Sequence, residues 1–152
     1  MSVIYFYRER DLPYGVFSNF SKHPFDLDGQ RWLTVEHYFQ AAKFPGHPQF
    51  NAILAVKSPM EAKWLGNDKS APLREDWEQV KDDVMRRAVR AKFEQHDDIR
   101  QVLLATGDAR IVEDAKNDYY WGIGANGNGK NMLGKILMET RAQLRKTRVG
   151  EM

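Results

Sequence analysis

The sequence predicts a single α+β domain over residues 1–152, mainly helical, with a few short strands including a β-hairpin near the N-terminus. Three observations carry that prediction. Asp28-Gly29 separates two short β-rich runs, Phe25-Asp-Leu27 and Gln30-Arg-Trp-Leu33, and this is the strongest short signal for a two-residue hairpin turn. Further along, apolar residues recur at helical spacing in several segments, most of them opened by a capping or proline signal. No internal repeat, low-complexity tract or linker divides the chain. A fold of 152 residues buries roughly 70% of the surface its unfolded chain exposes, so one core suffices.

In chain order, Val3 to Tyr7 is a short β-rich run, followed by a loop through Pro13 and Gly15. Phe17-Ser-Asn-Phe20 places Ser18 and Asn19 between two aromatics. Asn19 and Phe20 are thereby candidates for lining a ring-binding pocket, against the alternative that the phenylalanines are core. After the hairpin, Thr34 caps a helix running to about Phe44, with Glu36 and His37 in its first turn and Pro45-Gly46 as its stop. Pro48 opens a second short helix. Ser58-Pro-Met-Glu61 is a capping box with proline at the first helical position, and Gly66 is the expected C-cap. Trp77, Val80, Val84, Ala88 and Ala91 predict the longest helix, through about Phe93. Arg86, Arg87, Arg90 and Lys92 lie mostly off its apolar stripe and read as a solvated basic face. Asp97 caps a helix ending near Thr106-Gly107, Arg110 to Glu113 is a short strand, and a last amphipathic helix carries Leu133, Ile136, Leu137 and Leu144.

Composition excludes several function classes. Apolar residues make up 42% and charged residues 29%, so the chain is neither disordered by composition nor membrane-like. No apolar run approaches the ~18 residues a bilayer span needs, and the first residues do not read as a signal peptide, so a cytoplasmic location is expected. With no cysteine, thiol nucleophiles and thiolate metal sites are absent. His23, His37, His47 and His96 show no ligand spacing, and no metal or cofactor is expected. A net charge of +2 falls short of a dedicated nucleic-acid binder and favours an anionic small ligand.

The working surface is expected on the helix after Thr34. At 100° per residue Val35, Tyr38, Phe39 and Ala42 form one apolar arc, and Glu36, Gln40 and Lys43 share a narrow polar arc bounded by Phe39 and Phe44. A polar stripe between aromatics suits the floor of a cleft, although an ordinary surface Glu/Lys pair has the same spacing. The second feature is the run Asn117 to Asn131, where a glycine-rich loop meets a helix start and exposed N–H groups can cradle an anion. Gly122 to Gly127 spells a dinucleotide fingerprint without a clear preceding strand or the later acidic residue. Gly124 to Asn131 spells a P-loop with Asn131 in place of Ser or Thr. Both motifs are rejected. What is left is a carboxylate, an amine, aromatic walls and an anion cradle, a set suited to a phosphorylated sugar carrying a flat base.

Phe17-Ser-Asn-Phe20, Trp32 through Phe44, Ser58-Pro-Met-Glu-Ala62, Pro72 through Trp77, and Asn117-Asp-Tyr-Tyr-Trp-Gly122 resemble the NADAR family of N-glycosidases in order and spacing. The likeness runs from Tyr5 to about Leu144, with Gly127-Asn-Gly-Lys-Asn131 in agreement, and Leu33 departs from the proline of many relatives. It implies a hydrolase that cleaves ribosylated pyrimidine intermediates of riboflavin synthesis and releases ribose 5-phosphate. The alternatives are removal of ADP-ribose from guanine, including ADP-ribosylated nucleic acid, or a non-catalytic ADP-ribose-binding module. Carried over, the family's catalytic carboxylate falls on Glu36, its lysine on Lys43, its aromatic on Trp77 and its second acid on Asp118. Trp121, Asn19, Phe20, Gly127, Gly129, Lys130 and Asn131 are the expected substrate-binding residues. Losing a base from ribose C1′ builds positive charge on the sugar, which a preorganised carboxylate stabilises more than the ground state. Lys43 is expected either to pair with phosphate or, with a lowered pKa, to capture the opened sugar as an imine.

Overall fold

The computed structural model describes residues 2–151, with side chains through Thr147. The fold is α+β, and among the described residues the strands are confined to two two-stranded sheets. The residues form two compact units: Lys22–Lys92 makes one, and the segments on either side of it make the other.

In the Lys22–Lys92 unit, β2 (Phe25–Leu27) pairs antiparallel with β3 (Gln30–Trp32). Asp28 and Gly29 turn between them with φ of 54° and 77°, the left-handed conformation that a two-residue hairpin demands. The turn is pinned from outside: the Tyr38 hydroxyl donates to the Asp28 carboxylate at 2.7 Å, and Arg87 pairs with the same group. Thr34 caps α1 (Val35–Ala41), its hydroxyl accepting from His37 N at 3.2 Å. His37 is fully buried and reaches Val56 O through Nε2 at 2.9 Å and the Thr34 hydroxyl through Nδ1 at 2.8 Å. A carbonyl only accepts, so Nε2 carries the proton. Burial lowers this imidazole's pKa, which suits a packing role.

Helix α1 stops sooner than its sequence pattern suggests. Lys43 N bonds to Gln40 O and Phe44 N to Ala41 O, i→i+3 closures that tighten the last turn. Lys43 therefore lies past the helix end, and the uniform 100° phase does not extend to it. Helix α2 (Pro48–Ala55) follows, then α3 (Pro59–Gly66), where Ser58 Oγ accepts from Met60 N and Glu61 N at 3.1 and 3.4 Å. Gly66 is not the C-cap; that position is Asn67. The glycine is required by close approach, because a Cβ there would stand 1.9 Å from Gln40 Oε1. Arg74 N donates to Lys43 O at 3.0 Å, tying the loop before α4 (Trp77–Gln95) to the end of α1.

In the other unit β1 (Val3–Phe6) runs parallel to β4 (Arg110–Glu113), in register from Val3 opposite Arg110. Phe17 packs edge-on to Phe6 and tilted to Phe93, with ring centroids 5.8 and 6.0 Å away. Helix α5 (Asp97–Ala105) has His96 rather than Asp97 at its N-cap; Asp97 sits in the first turn and pairs with Arg100 at 2.6 Å. Helix α6 (Met132–Glu151) packs on β4 so closely that a Cβ on Gly134 would meet Ile111 O at 2.2 Å. Lys92, read from the sequence as part of a solvated face, is only 1% exposed, and burial pushes its amine down to about 7. Arg86 is engaged by Asp83, and Arg87 by Asp28. The row of cations is therefore not the continuous basic patch that nucleic-acid binding needs. Among the described residues no helix is long and apolar enough to cross a membrane.

Candidate active site

Glu36 is 8% exposed, with Oε1 accepting from Gln40 Nε2 at 3.0 Å. The polar stripe of α1 is therefore an interior feature and not a solvated Glu/Lys pair. Lys43 is half-buried. Its Nζ donates to Gly66 O at 3.2 Å and stands 5.8 Å from both the Phe39 and Trp77 ring centroids. Desolvation lowers its pKa, and the charge of Glu36 opposes that shift. Trp77, 6% exposed, packs edge-on to Phe39 with centroids 5.0 Å apart. It is thus a core residue that also offers a surface to a cavity.

That cavity is a cleft of about 360 Å³ whose walls include Lys43, Phe44, Gly66, Lys69, Leu73 and Trp77. The volume is within the range of small-molecule sites. Two lysines and an aromatic wall suit a phosphorylated ligand carrying a planar ring. Glu36 connects to this wall through Gln40, whose amide packs against Gly66. The sequence had singled out Glu36, Lys43 and Trp77, and here they share one unit; Lys69 and Gly66 had not been read as functional. Lys69 lies in a polar loop with no periodicity to mark it, and Gly66 had been read as a helix stop.

The other expected residues belong to the second unit. Asp118 Oδ1 accepts from Tyr120 N at 3.0 Å and Trp121 N at 2.8 Å, which fixes the carboxylate across a tight turn. Trp121 is half-buried and edge-on to Tyr120, with centroids 4.9 Å apart. Asn19 and Phe20 are half-buried, while Phe17 is in the core.

Part of the expected anion cradle is engaged within the chain. Gly129, Lys130, Asn131, Met132 and Leu133 each donate their N–H to a carbonyl between Tyr119 and Ile123, at 2.7–3.1 Å. Donors that a phosphate would need at the start of α6 are thus already committed to the chain itself. Asn131 is 2% exposed; its amide donates to Ile111 O at 3.0 Å and accepts from Glu113 N at 2.9 Å. It clips the loop to β4. Gly127 has φ of 74°, whereas Gly129 is a close-approach residue whose Cβ would lie 2.6 Å from Gly122 O. Lys130 Nζ lies 5.3 Å from the Tyr120 ring centroid.

Comparison with known proteins decides the family. The model of the NADAR domain matches residues 5–145. The chain belongs to the NADAR family. It is 53% identical to N-glycosidase YbiA of Escherichia coli over 143 residues, 94% of this chain and 89% of that protein. The NMR structure of E. coli YbiA superposes with a TM-score of 0.90 at 51% identity, covering 97% of this chain and 88% of the other. The Zea mays chloroplastic riboflavin biosynthesis protein PYRR is 39% identical over 158 residues, where the NADAR match takes in 94% of this chain and 25% of the larger protein.

Proposed function

We propose that this NADAR protein hydrolyses the C–N bond between a 5-phosphoribosyl group and a pyrimidine amine, releasing ribose 5-phosphate and the free amine. The chain is an N-glycosidase, a hydrolase acting on N-glycosyl compounds, in keeping with the name of its E. coli relative. The finer substrate reading draws on the maize relative named for riboflavin biosynthesis and on a cleft walled by Lys43, Lys69 and Trp77.

The observation that carries the reading is the buried Glu36 carboxylate held on the same unit as a half-buried amine. As the glycosidic bond lengthens, C1′ gains positive charge, and a carboxylate fixed before the reaction stabilises it without reorganising. Excluding water strengthens that interaction. Lys43 adds a nucleophile with a lowered pKa. Its neutral amine displaces the base at C1′, the base departing with the bonding electrons and a proton. The ring then opens, the nitrogen lone pair forming C1′=N as the C1′–O4′ bond breaks and O4′ takes a proton, and water hydrolyses this imine to free the sugar and restore the lysine. Trp77 offers an aromatic surface to the flat base. The NADAR resemblance assigns a second acid to Asp118, proposed to deliver the proton that the leaving nitrogen takes.

Product analysis tests the substrate. Incubation with a 5-phosphoribosylamino-pyrimidine should release ribose 5-phosphate, whereas ADP-ribosylated guanine should be left intact. Release of ADP-ribose from the guanine substrate alone would overturn the pyrimidine reading.

A further inference from the structure

Gln40 occupies an unusual position in this unit. It is 4% exposed, its Nε2 donates to Glu36 Oε1 at 3.0 Å, and its own Oε1 is buried with no hydrogen-bond partner among the described residues. A buried acceptor left unmade costs about 1–3 kcal/mol, so apolar packing would serve the fold as well or better. The amide is held from the other side by Gly66: a Cβ there would lie 1.9 Å from Gln40 Oε1, 2.5 Å from Cδ and 2.7 Å from Cβ. Only a residue without a side chain leaves the amide where it is. The carbonyl of the same glycine accepts the Lys43 ammonium at 3.2 Å. One residue at the end of α3 is thus the common reference for the carboxylate, through Gln40, and for the amine directly.

We infer that Gln40, held in place by the bare backbone of Gly66, is the positioning residue of Glu36. This rests on the role given to Glu36 above. The amide presents its N–H side to the carboxylate, which fixes the direction of Oε1 and favours the charged form that an oxocarbenium-like state requires. The opposite amide orientation would set an oxygen against an oxygen, so the hydrogen bond to Glu36 selects the productive one while the packing at Gly66 holds the side chain in place. Lys43 shares the same reference point, so a shift of α3 displaces both groups together.

Gln40→Met tests the inference, because it keeps length and volume while removing the donor and the unpartnered oxygen. The Tm should stay within about 5 °C of wild type. The titration of the Glu36 side-chain carboxyl carbon, followed by 13C NMR, should move to higher pH, and the acidic limb of the kcat/KM profile on a 5-phosphoribosylamino-pyrimidine should move with it. Misplacement of a reacting group by an ångström costs about 10²-fold, so kcat should fall by about that factor with KM little changed. An unmoved Glu36 titration, with or without loss of rate, overturns the inference and makes Gln40 structural. Gly66→Ala provides a second reading should the methionine variant fail to fold: the displaced amide should produce the same upward shift, and an unchanged titration again overturns the claim. The NMR measurement needs no substrate. A wild-type protein that releases no ribose 5-phosphate therefore defeats the reaction reading without touching the positioning one.

Discussion

Lys43→Arg separates the two chemistries open to the amine. In the structure Nζ is half-buried, donates to Gly66 O at 3.2 Å and lies 5.8 Å from two aromatic centroids. An arginine retains the positive charge and can stack on the same rings. If the lysine acts only by charge, the variant loses one hydrogen bond, a net effect of about 0.5–1.5 kcal/mol, which is on the order of tenfold in rate. A nucleophilic amine must instead be neutral. With a guanidinium pKa above about 12, the neutral fraction at pH 8 is below about 10⁻⁴, so the covalent route predicts a rate loss of at least about 10³-fold. Lys43 itself has its pKa lowered by desolvation despite the nearby Glu36 charge, which raises its neutral fraction relative to an ordinary lysine. The assay is borohydride reduction during turnover followed by peptide mass spectrometry, run beside ribose 5-phosphate release. A reduced sugar adduct on Lys43 and an inactive arginine variant are the expected results. An unmodified Lys43 together with an arginine variant active to within tenfold would refute the covalent role.

Three further outcomes follow from particular residues. Asp118→Asn keeps an oxygen able to accept from Tyr120 N and Trp121 N, so the Tm should hold while the rate falls by about 10²-fold; an unchanged rate would remove Asp118 from the chemistry. Gly127→Val, at φ of 74°, should lower stability by about 1–2 kcal/mol and affect phosphorylated and dephosphorylated ligands alike, since the N–H groups of 129–133 are committed to carbonyls; selective loss of the phosphorylated ligand, measured by calorimetry, would restore the cradle. Lys92 has a folded pKa of about 7, below the value of about 10.4 for an unfolded lysine. Between those values the unfolded chain binds the extra proton, so stability should rise with pH by up to about 1.4 kcal/mol per unit. Thermal unfolding at pH 7 and pH 9 should show the rise in wild type and its loss in Lys92→Met.

The hairpin and the helix starts were legible because their causes are local. Asp28-Gly29 supplies left-handed backbone, and Thr34 and Ser58 supply cap oxygens, whatever the rest of the chain does. The polar arc of α1 was legible for the same reason, since Glu36 and Gln40 fall on it by periodicity alone. What stayed hidden depends on contacts between distant segments. Gly66 looked like a helix stop, and only the approach of Gln40 shows why no side chain fits there. The glycine-rich loop looked like an anion site because sequence displays its N–H groups but not the carbonyls of 119–123 that take them. Lys92 sat off the apolar stripe of its helix, yet it is buried, because tertiary packing and not helical phase alone decides exposure. Lys43 kept its role as a candidate although the tightened end of α1 took it out of helical phase.

The central claim is that the Glu36 carboxylate stabilises charge developing at C1′, and Glu36→Gln with a 5-phosphoribosylamino-pyrimidine as substrate tests it most directly. The glutamine preserves size and an oxygen able to accept from Gln40, while removing the charge. Ribose 5-phosphate release should fall by about 10²–10³-fold with ligand affinity, measured by calorimetry, close to wild type. A variant that keeps its rate to within tenfold would contradict the claim and leave Glu36 a structural residue.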